Sequence, residues 1–232
     1  MKQFMLPLWK QVVFVDWQGV LSNDVFWKSI LTSRRHPVRH QLENKLGDIF
    51  NIDRNISHDW MRGRRSSADI ISAMRITLPS HFGHDYLHRQ LIADLIRTEI
   101  NSELVELLKL YLSKAFIVVA TDNMDCTANI FEDLRKRAYR HGGSADTLAT
   151  WASLCDDIVC SSDVGKLKSE DPETFFGSWL SAYRLTFADA LLIDDRAVNC
   201  EAFVSAGGSA IQWKMGSDHI NELMQSLERW FE

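Results

Sequence analysis

Short continuous apolar runs, each stopped by polar residues, recur along this chain, and helical periodicity fills the intervals between them. The first run is Val12-Val13-Phe14-Val15, which stops at Asp16. β-Branched and aromatic residues in an unbroken row predict a strand buried on both faces. Ala115–Ala120 is a second such run and stops at Thr121-Asp122-Asn123. Asp157–Cys160 is a shorter third, Ala190–Ile193 a fourth that stops at Asp194-Asp195, and Ser209–Trp213 a fifth. Helices are predicted at Glu103–Leu112, Ala128–Tyr139, Pro172–Tyr183, Asn199–Ser205 and Asp218–Trp230. Asp171 and Glu173 suit the positive end of the third of these, and Gly207-Gly208 closes the fourth. His141-Gly142-Gly143-Ser144 reads as a loop.

Directly after the first strand this alternation is interrupted. From Asn23 to about Ile100 the apolar positions keep a 3.6-residue spacing: Phe26, Ile30 and Leu31, then Leu42 and Leu46, then Ile70, Ile71 and Met74, then Leu87, Leu91 and Leu95. Ser66-Ser67 marks a helix start there. Strands that alternate with helices imply βαβ units and a parallel sheet. The expected fold is therefore α/β: a Rossmann-like core from residues 1–21 and 101–232, with an inserted all-helical domain at 22–100. Its linkers fall near Ser22 and Ile100.

Composition narrows the functional classes. The 232 residues are 46% hydrophobic and 25% charged, with a net charge of −5. A nucleic-acid or anionic-membrane partner would favour a basic stripe, and none is present. Arg62, Arg64 and Arg65 form a local cluster that a solvated helix start explains as well as an anion site would. No stretch approaches the roughly 20 apolar residues that span a bilayer, and the patch in Met1–Lys10 is too short for a signal peptide. Cys126, Cys155, Cys160 and Cys200 lack the C-x-x-C spacing of zinc or redox sites. Free thiols in a cytoplasmic protein are expected.

The chemistry gathers at strand ends. Asp16, Thr121, Lys168 and the pair Asp194-Asp195 follow four different strands, and in open α/β sheets that edge binds ligands. A carboxylate, a hydroxyl, a lysine and an acidic pair form a kit for phosphoryl transfer. Asp16 would attack phosphorus, Mg²⁺ held by Asp16 and the acidic pair would neutralise charge, and Thr121 and Lys168 would bind phosphate oxygens.

The segments V-V-F-V-D-W-Q-G-V-L, I-V-V-A-T-D-N, S-S-D-V-G-K-L-K-S-E-D-P and L-L-I-D-D-R-A-V-N resemble, in order, the four motifs of the haloacid-dehalogenase-like (HAD) hydrolases. M-R-G-R-R-S-S-A-D-I-I-S-A-M is similar to a helix start common in the caps of that family, so the resemblance makes residues 22–100 a C1-type cap. It implies that Asp16 is nucleophile and Mg²⁺ ligand, with the backbone carbonyl of Gln18 as a second ligand. It implies that Thr121, with Asp122 and Asn123 after it, binds the transferring group. Lys168 would bridge nucleophile and phosphate, with Lys166 as competitor. Asp195 would be the direct metal ligand with Asp194 beside it, and Asn199 would support the loop. The substrate would be a small phosphorylated metabolite.

Gln18 departs from the family's phosphatases, which carry aspartate there to protonate the leaving oxygen and then activate water. Glutamine donates a hydrogen bond but cannot cycle a proton, and general acid/base catalysis is worth about 10²–10⁴-fold. A slow phosphatase is therefore expected. The alternative is a catalytically impaired protein that binds a ligand or serves regulation. Dehalogenases attack carbon without metal, against which the acidic pair argues. Phosphonatases read D-W-x-G, as Asp16-Trp17-Gln18-Gly19 does, but need a cap lysine, and only Lys28 and Lys45 are available. Trp17 and Trp27 are expected in packing rather than in the cleft. His84 and His88, four apart, are expected on the surface of a helix rather than on a metal.

Overall fold

The computed structural model describes residues 10–141 and 155–232, so the expected loop at His141–Ser144 lies outside the described residues beyond its first position. The five apolar runs are the strands: β1 Gln11–Val15, β2 Ala115–Thr121, β3 Asp157–Cys160, β4 Ala190–Asp194 and β5 Ser209–Gln212. All neighbours pair in parallel, in the order β3-β2-β1-β4-β5. The chain crosses from one side of β1 to the other after β3, so a crevice opens beyond the carboxyl end of β1. β2 and β4 each run one residue further than the apolar pattern predicts, which fixes Thr121 and Asp194 on strands rather than on loops.

After β1 come the helices α1 Lys28–Leu31, α2 Arg39–Gly47, α3 Arg54–Met61, α4 Ser67–Met74 and α5 Tyr86–Ile96, with a π-helical turn at Asp48–Ile52. Ser66 is the N-cap of α4, in a reciprocal capping box with Asp69, as the Ser-Ser pair predicts. His84 falls before α5 rather than on it, so His84 and His88 do not share a helix face. The core adds α6 Ser102–Lys109, α7 Asp125–His141, α8 Ser161–Val164, α9 Pro172–Ala182, α10 Ala197–Ser205 and α11 Ile220–Phe231. The four-residue α8 has no periodicity to announce it, because one turn is too short to repeat a face.

Strand side chains alternate between two apolar layers. Val13, Val15, Ile117, Val119, Leu191 and Ile193 pack with α6, α7 and α11 through residues such as Leu104, Phe131 and Leu227. Val12, Phe14, Val118 and Leu192 face the other side, against Phe176, Trp179 and Phe203 of α9 and α10. With both faces covered, continuous apolar strands are the stable solution. The helical block has its own cluster, centred on Trp27, Leu42, Trp60, Ile70 and Leu91. Trp27 is fully buried and donates its indole N–H to the Leu87 carbonyl, and Trp17 packs edge-on against Phe131. Both tryptophans are packing residues.

The two linkers run side by side. The Asn101 amide donates to the Leu21 carbonyl at 2.9 Å, and the Ser22 hydroxyl to the Glu99 carbonyl at 2.7 Å. On its far side the helical block docks on the core through Met61–Ser67. The Ser161 hydroxyl donates to the Met61 carbonyl at 2.6 Å, the Ser67 amide to Asp125 Oδ1 at 3.0 Å, and Arg62 pairs with Glu170. Arg62 is thus not a solvated side chain as the local cluster suggested. It is 15% exposed and bridges the helical block and the core, whereas Arg64 stays in solvent beside Asp59.

Candidate active site

Parallel strand ends bring the predicted carboxylates together. Asp16 lies one residue past β1 and Asp194 closes β4, its neighbour, so adjacent strands present two acids at one edge. Both are buried. Lys168 is buried with them at 1% exposure, and its ammonium group meets Asp16 Oδ1 at 2.7 Å, Asp194 Oδ2 at 2.5 Å and the Ala120 carbonyl at 3.1 Å. Three donors meet three acceptors, the full capacity of a lysine head. The Lys168 amide is anchored on Asp122 Oδ1 at 3.0 Å. Lys166 makes none of these contacts.

Burial opposes both charges, yet both groups end above their ordinary range. For Lys168, burial acts downward, but the negative charges of Asp16, Asp194 and Asp122 outweigh it and hold the ammonium firmly protonated. For Asp16, burial is the largest influence and the Asp194 charge adds to it. Lys168 offsets only part, and the carboxyl is pushed up to about 7. Asp195 is raised as well, by burial and then by Asp194.

The acidic pair divides its labour. Asp194 accepts from Lys168, on both oxygens from the Asn199 side-chain amide at 3.0 Å, and from the Arg196 backbone amide at 2.9 Å. Asp195 is only half-buried and faces the cavity. It packs on Gly19, whose φ is +84°; a methyl group on that residue would lie 2.5 Å from Asp195 Oδ2. The bare glycine admits the carboxylate. Gly19→Ala is expected to displace Asp195 and to strain a left-handed backbone by about 1–3 kcal/mol. Calorimetric titration should show Mg²⁺ affinity lowered about tenfold or more with the circular dichroism spectrum kept; unchanged affinity would separate Asp195 from the metal.

Asp16, Asp194 and Asp195 each offer an oxygen within 4.8 Å of the others, the one such cluster among the described residues. Hard oxygen donors on a compact acidic edge suit Mg²⁺, and the open oxygens of Asp195 fit a direct ligand better than the saturated ones of Asp194. The raised Asp16 sets a pH test. Between its ordinary 3.8 and about 7, the folded chain holds a proton that the unfolded chain has released. Asp16 therefore costs metal-free stability as pH rises through that window. A cation needs the carboxylate free, so Mg²⁺ is expected to raise the melting temperature more near pH 8 than near pH 6. An equal or larger shift at the lower pH would contradict the Asp16 assignment.

A cavity of about 790 Å³ spans this edge and the helical block. Its core side holds Asp16, Gln18, Asp122, Asn123, Lys168 and Asp195. Gln18 is exposed, with its backbone held in an isolated bridge to Ser22. Thr121 is buried at the end of β2 and is not among the lining residues; Asp122 and Asn123 are. Asn123 is fixed on both sides, accepting from Met124 and Thr127 through its side chain and donating its amide to Ser161 Oγ at 2.9 Å. The block side contributes Val25, Phe26, Leu31, Leu46 and Phe50, with Arg54 and His58 beside them. Lys28 pairs with Asp24 and Glu99, Lys45 with Asp48, and neither lines the cavity. The lysine that a phosphonatase would need is not there among the described residues. Sequence reasoning missed Arg54, His58 and Ser161; only the position of α3 over the sheet edge reveals the first two.

No family model and no curated protein matches the chain. Solved structures do. A predicted HAD-like family hydrolase from Porphyromonas gingivalis superposes with a TM-score of 0.60 at 16% identity, covering 94% of this chain and 98% of that one. A HAD family enzyme from Bacteroides thetaiotaomicron, solved in complex with magnesium and inorganic phosphate, gives 0.59 at 15% identity over 92% and 98%. A 2-haloacid dehalogenase from Pseudomonas syringae pv. Tomato gives 0.53 at 16% over 95% and 99%. The chain has the HAD-like fold, an α/β core with a parallel five-stranded sheet.

Proposed function

We propose that this protein is a Mg²⁺-dependent phosphohydrolase acting on a small phosphorylated metabolite, with Asp16 as nucleophile. The observation that carries the reading is the buried Lys168 ammonium, held between Asp16 and Asp194 against the cavity. A cation there orients the Asp16 carboxylate, and its nearby charge favours a phosphoryl group that Asp16 attacks. Asp16, Asp195 and the Gln18 carbonyl would hold the metal, with Asp194 positioning behind them. Bound there, Mg²⁺ supplies neutralisation of phosphoryl oxygens. Thr121, with Asp122 and Asn123 after it, would receive the transferring group. Attack by Asp16 on phosphorus yields an aspartyl-phosphate and frees the leaving oxygen. The four buried free thiols suit a cytoplasmic setting, and no helix among the described residues is long and apolar enough to cross a membrane.

The test is phosphate release from a panel of phosphate esters and acyl phosphates with Mg²⁺, for wild type and Asp16→Asn. Equal rates on every substrate would defeat the enzyme reading. Gln18 favours a second reading, a ligand-binding or regulatory protein whose turnover is impaired. Gln18→Asp separates the two. The side chain is exposed at the cavity, so the change is expected to leave the fold intact and to raise alkyl phosphate hydrolysis about 10²-fold. No gain would place the impairment elsewhere in the site.

A further inference from the structure

The two walls of the cavity differ in chemistry. The core wall is mostly polar and charged, whereas the block wall presents a contiguous apolar stretch, Val25, Phe26, Leu31, Leu46 and Phe50, with Arg54, Ser57 and His58 at its side. Val25 is 53% exposed, and at least part of the remaining apolar surface faces open space rather than packed neighbours. Phe50 reaches the cavity from the π-helical turn that continues α2, a distortion found frequently at functional sites. Hydroxyl groups set against the Phe26–Phe50 stretch of it would lose water without gaining partners.

Gln18 adds an independent constraint. It cannot hand a proton to a leaving oxygen from the position beside the nucleophile, and a weakly basic oxygen, which departs readily as an anion, needs that proton least. We infer that the substrate is a monophosphate of an apolar aryl or acyl group, whose body lies on the Phe26–Phe50 wall while its phosphoryl group meets Asp16, beside the charge of the buried Lys168. This deepens the phosphohydrolase reading and rests on it. In the first step a bond forms between an Asp16 oxygen and phosphorus. The bond from phosphorus to the leaving oxygen breaks, and the leaving group takes the electron pair as a phenoxide or carboxylate. In the second, water attacks the phosphorus of the aspartyl-phosphate, the Asp16 oxygen leaves as carboxylate, and one proton of the water passes to a phosphate oxygen. One aryl or acyl phosphate dianion and one water yield one organic anion and dihydrogen phosphate. Sugar phosphates fail on both counts, since their bodies are polar and their leaving alkoxides are strongly basic.

The experiment compares benzoyl phosphate, acetyl phosphate, 1-naphthyl phosphate and glucose 6-phosphate as substrates of the Mg²⁺-loaded protein. It also measures binding of hexyl phosphate and glycerol 3-phosphate by calorimetry. Each buried methylene is worth about fourfold in affinity. Benzoyl phosphate is therefore expected to exceed acetyl phosphate in kcat/KM by about tenfold or more, and hexyl phosphate to bind at least about tenfold more tightly than glycerol 3-phosphate. Val25→Asn and Leu46→Asn should shrink both ratios severalfold. Hydrolysis that needs Asp16 but favours glucose 6-phosphate, or shows ratios near one, overturns the apolar-body assignment and leaves the phosphohydrolase reading standing. Preferential hexyl phosphate binding without any hydrolysis keeps the apolar pocket and removes the catalytic reading. Neither binding nor hydrolysis overturns both.

Discussion

Lys168→Met is expected to cost about 3–5 kcal/mol of folding stability, the penalty for leaving buried charge without its partner. The ammonium satisfies Asp16, Asp194 and the Ala120 carbonyl at once, and methionine fills its volume but none of its hydrogen bonds. Asp194 keeps Asn199 and the Arg196 amide, so the core edge is weakened rather than emptied. Hydrolysis should fall about 10³-fold or more, in line with the loss of a buried electrostatic stabiliser. Denaturant unfolding and steady-state kinetics check the two effects. Lys166→Met is the control: that side chain makes none of these contacts and is expected to stay within about 0.5 kcal/mol of wild type. Should Lys168→Met unfold at the wild-type midpoint, the buried triad does not hold the site.

The second large effect is on chemistry alone. Asp16→Asn keeps the shape of the side chain and an oxygen that can accept from Lys168, but removes the nucleophile. Loss of a covalent nucleophile is expected to lower kcat/KM by about 10⁴-fold or more. The fold should survive, because the buried carboxyl is one whose ionisation burial resists and a neutral amide carries no such penalty. The melting temperature without metal is expected to stay within about 5 °C of wild type, while the stabilisation by Mg²⁺ disappears. Thermal scans with and without Mg²⁺ measure both. A variant that still responds to Mg²⁺ like wild type would place the metal elsewhere.

The core was legible because its strands are buried on both faces. Apolar runs such as Val12–Val15 and Ala190–Ile193 have few alternatives to a central parallel strand, and their polar stops mark the edge where the acids meet. Position along the chain also placed Lys168, although only its burial separates it from Lys166. The helical block was legible as helices, but its orientation was not. Periodicity tells which face of a helix is apolar, not which residues of the remaining face look into a cleft. Arg54 and His58 therefore carried no signal of a cleft, and Arg62 looked like part of a solvated cluster. Its partner Glu170 lies 108 residues away on the core, a distance in sequence over which no local pattern carries information. Gly19 was visible only as the end of the D-W-x-G segment, because the constraint on it comes from Asp195 across the sheet edge.

Asp16 as the attacking group and Gln18 as the brake on dephosphorylation are the centre of the proposed chemistry. A site with a nucleophile but no proton-cycling carboxylate should form its covalent intermediate faster than it clears it. The direct measurement is intact-protein mass spectrometry after mixing with an acyl phosphate and Mg²⁺ and quenching in acid. The expected result is a gain of about 80 Da, one phosphoryl group per chain, mapped to Asp16, absent from Asp16→Asn and diminished in Gln18→Asp as turnover quickens. No adduct on wild type, or an adduct that persists in Asp16→Asn, would contradict the account.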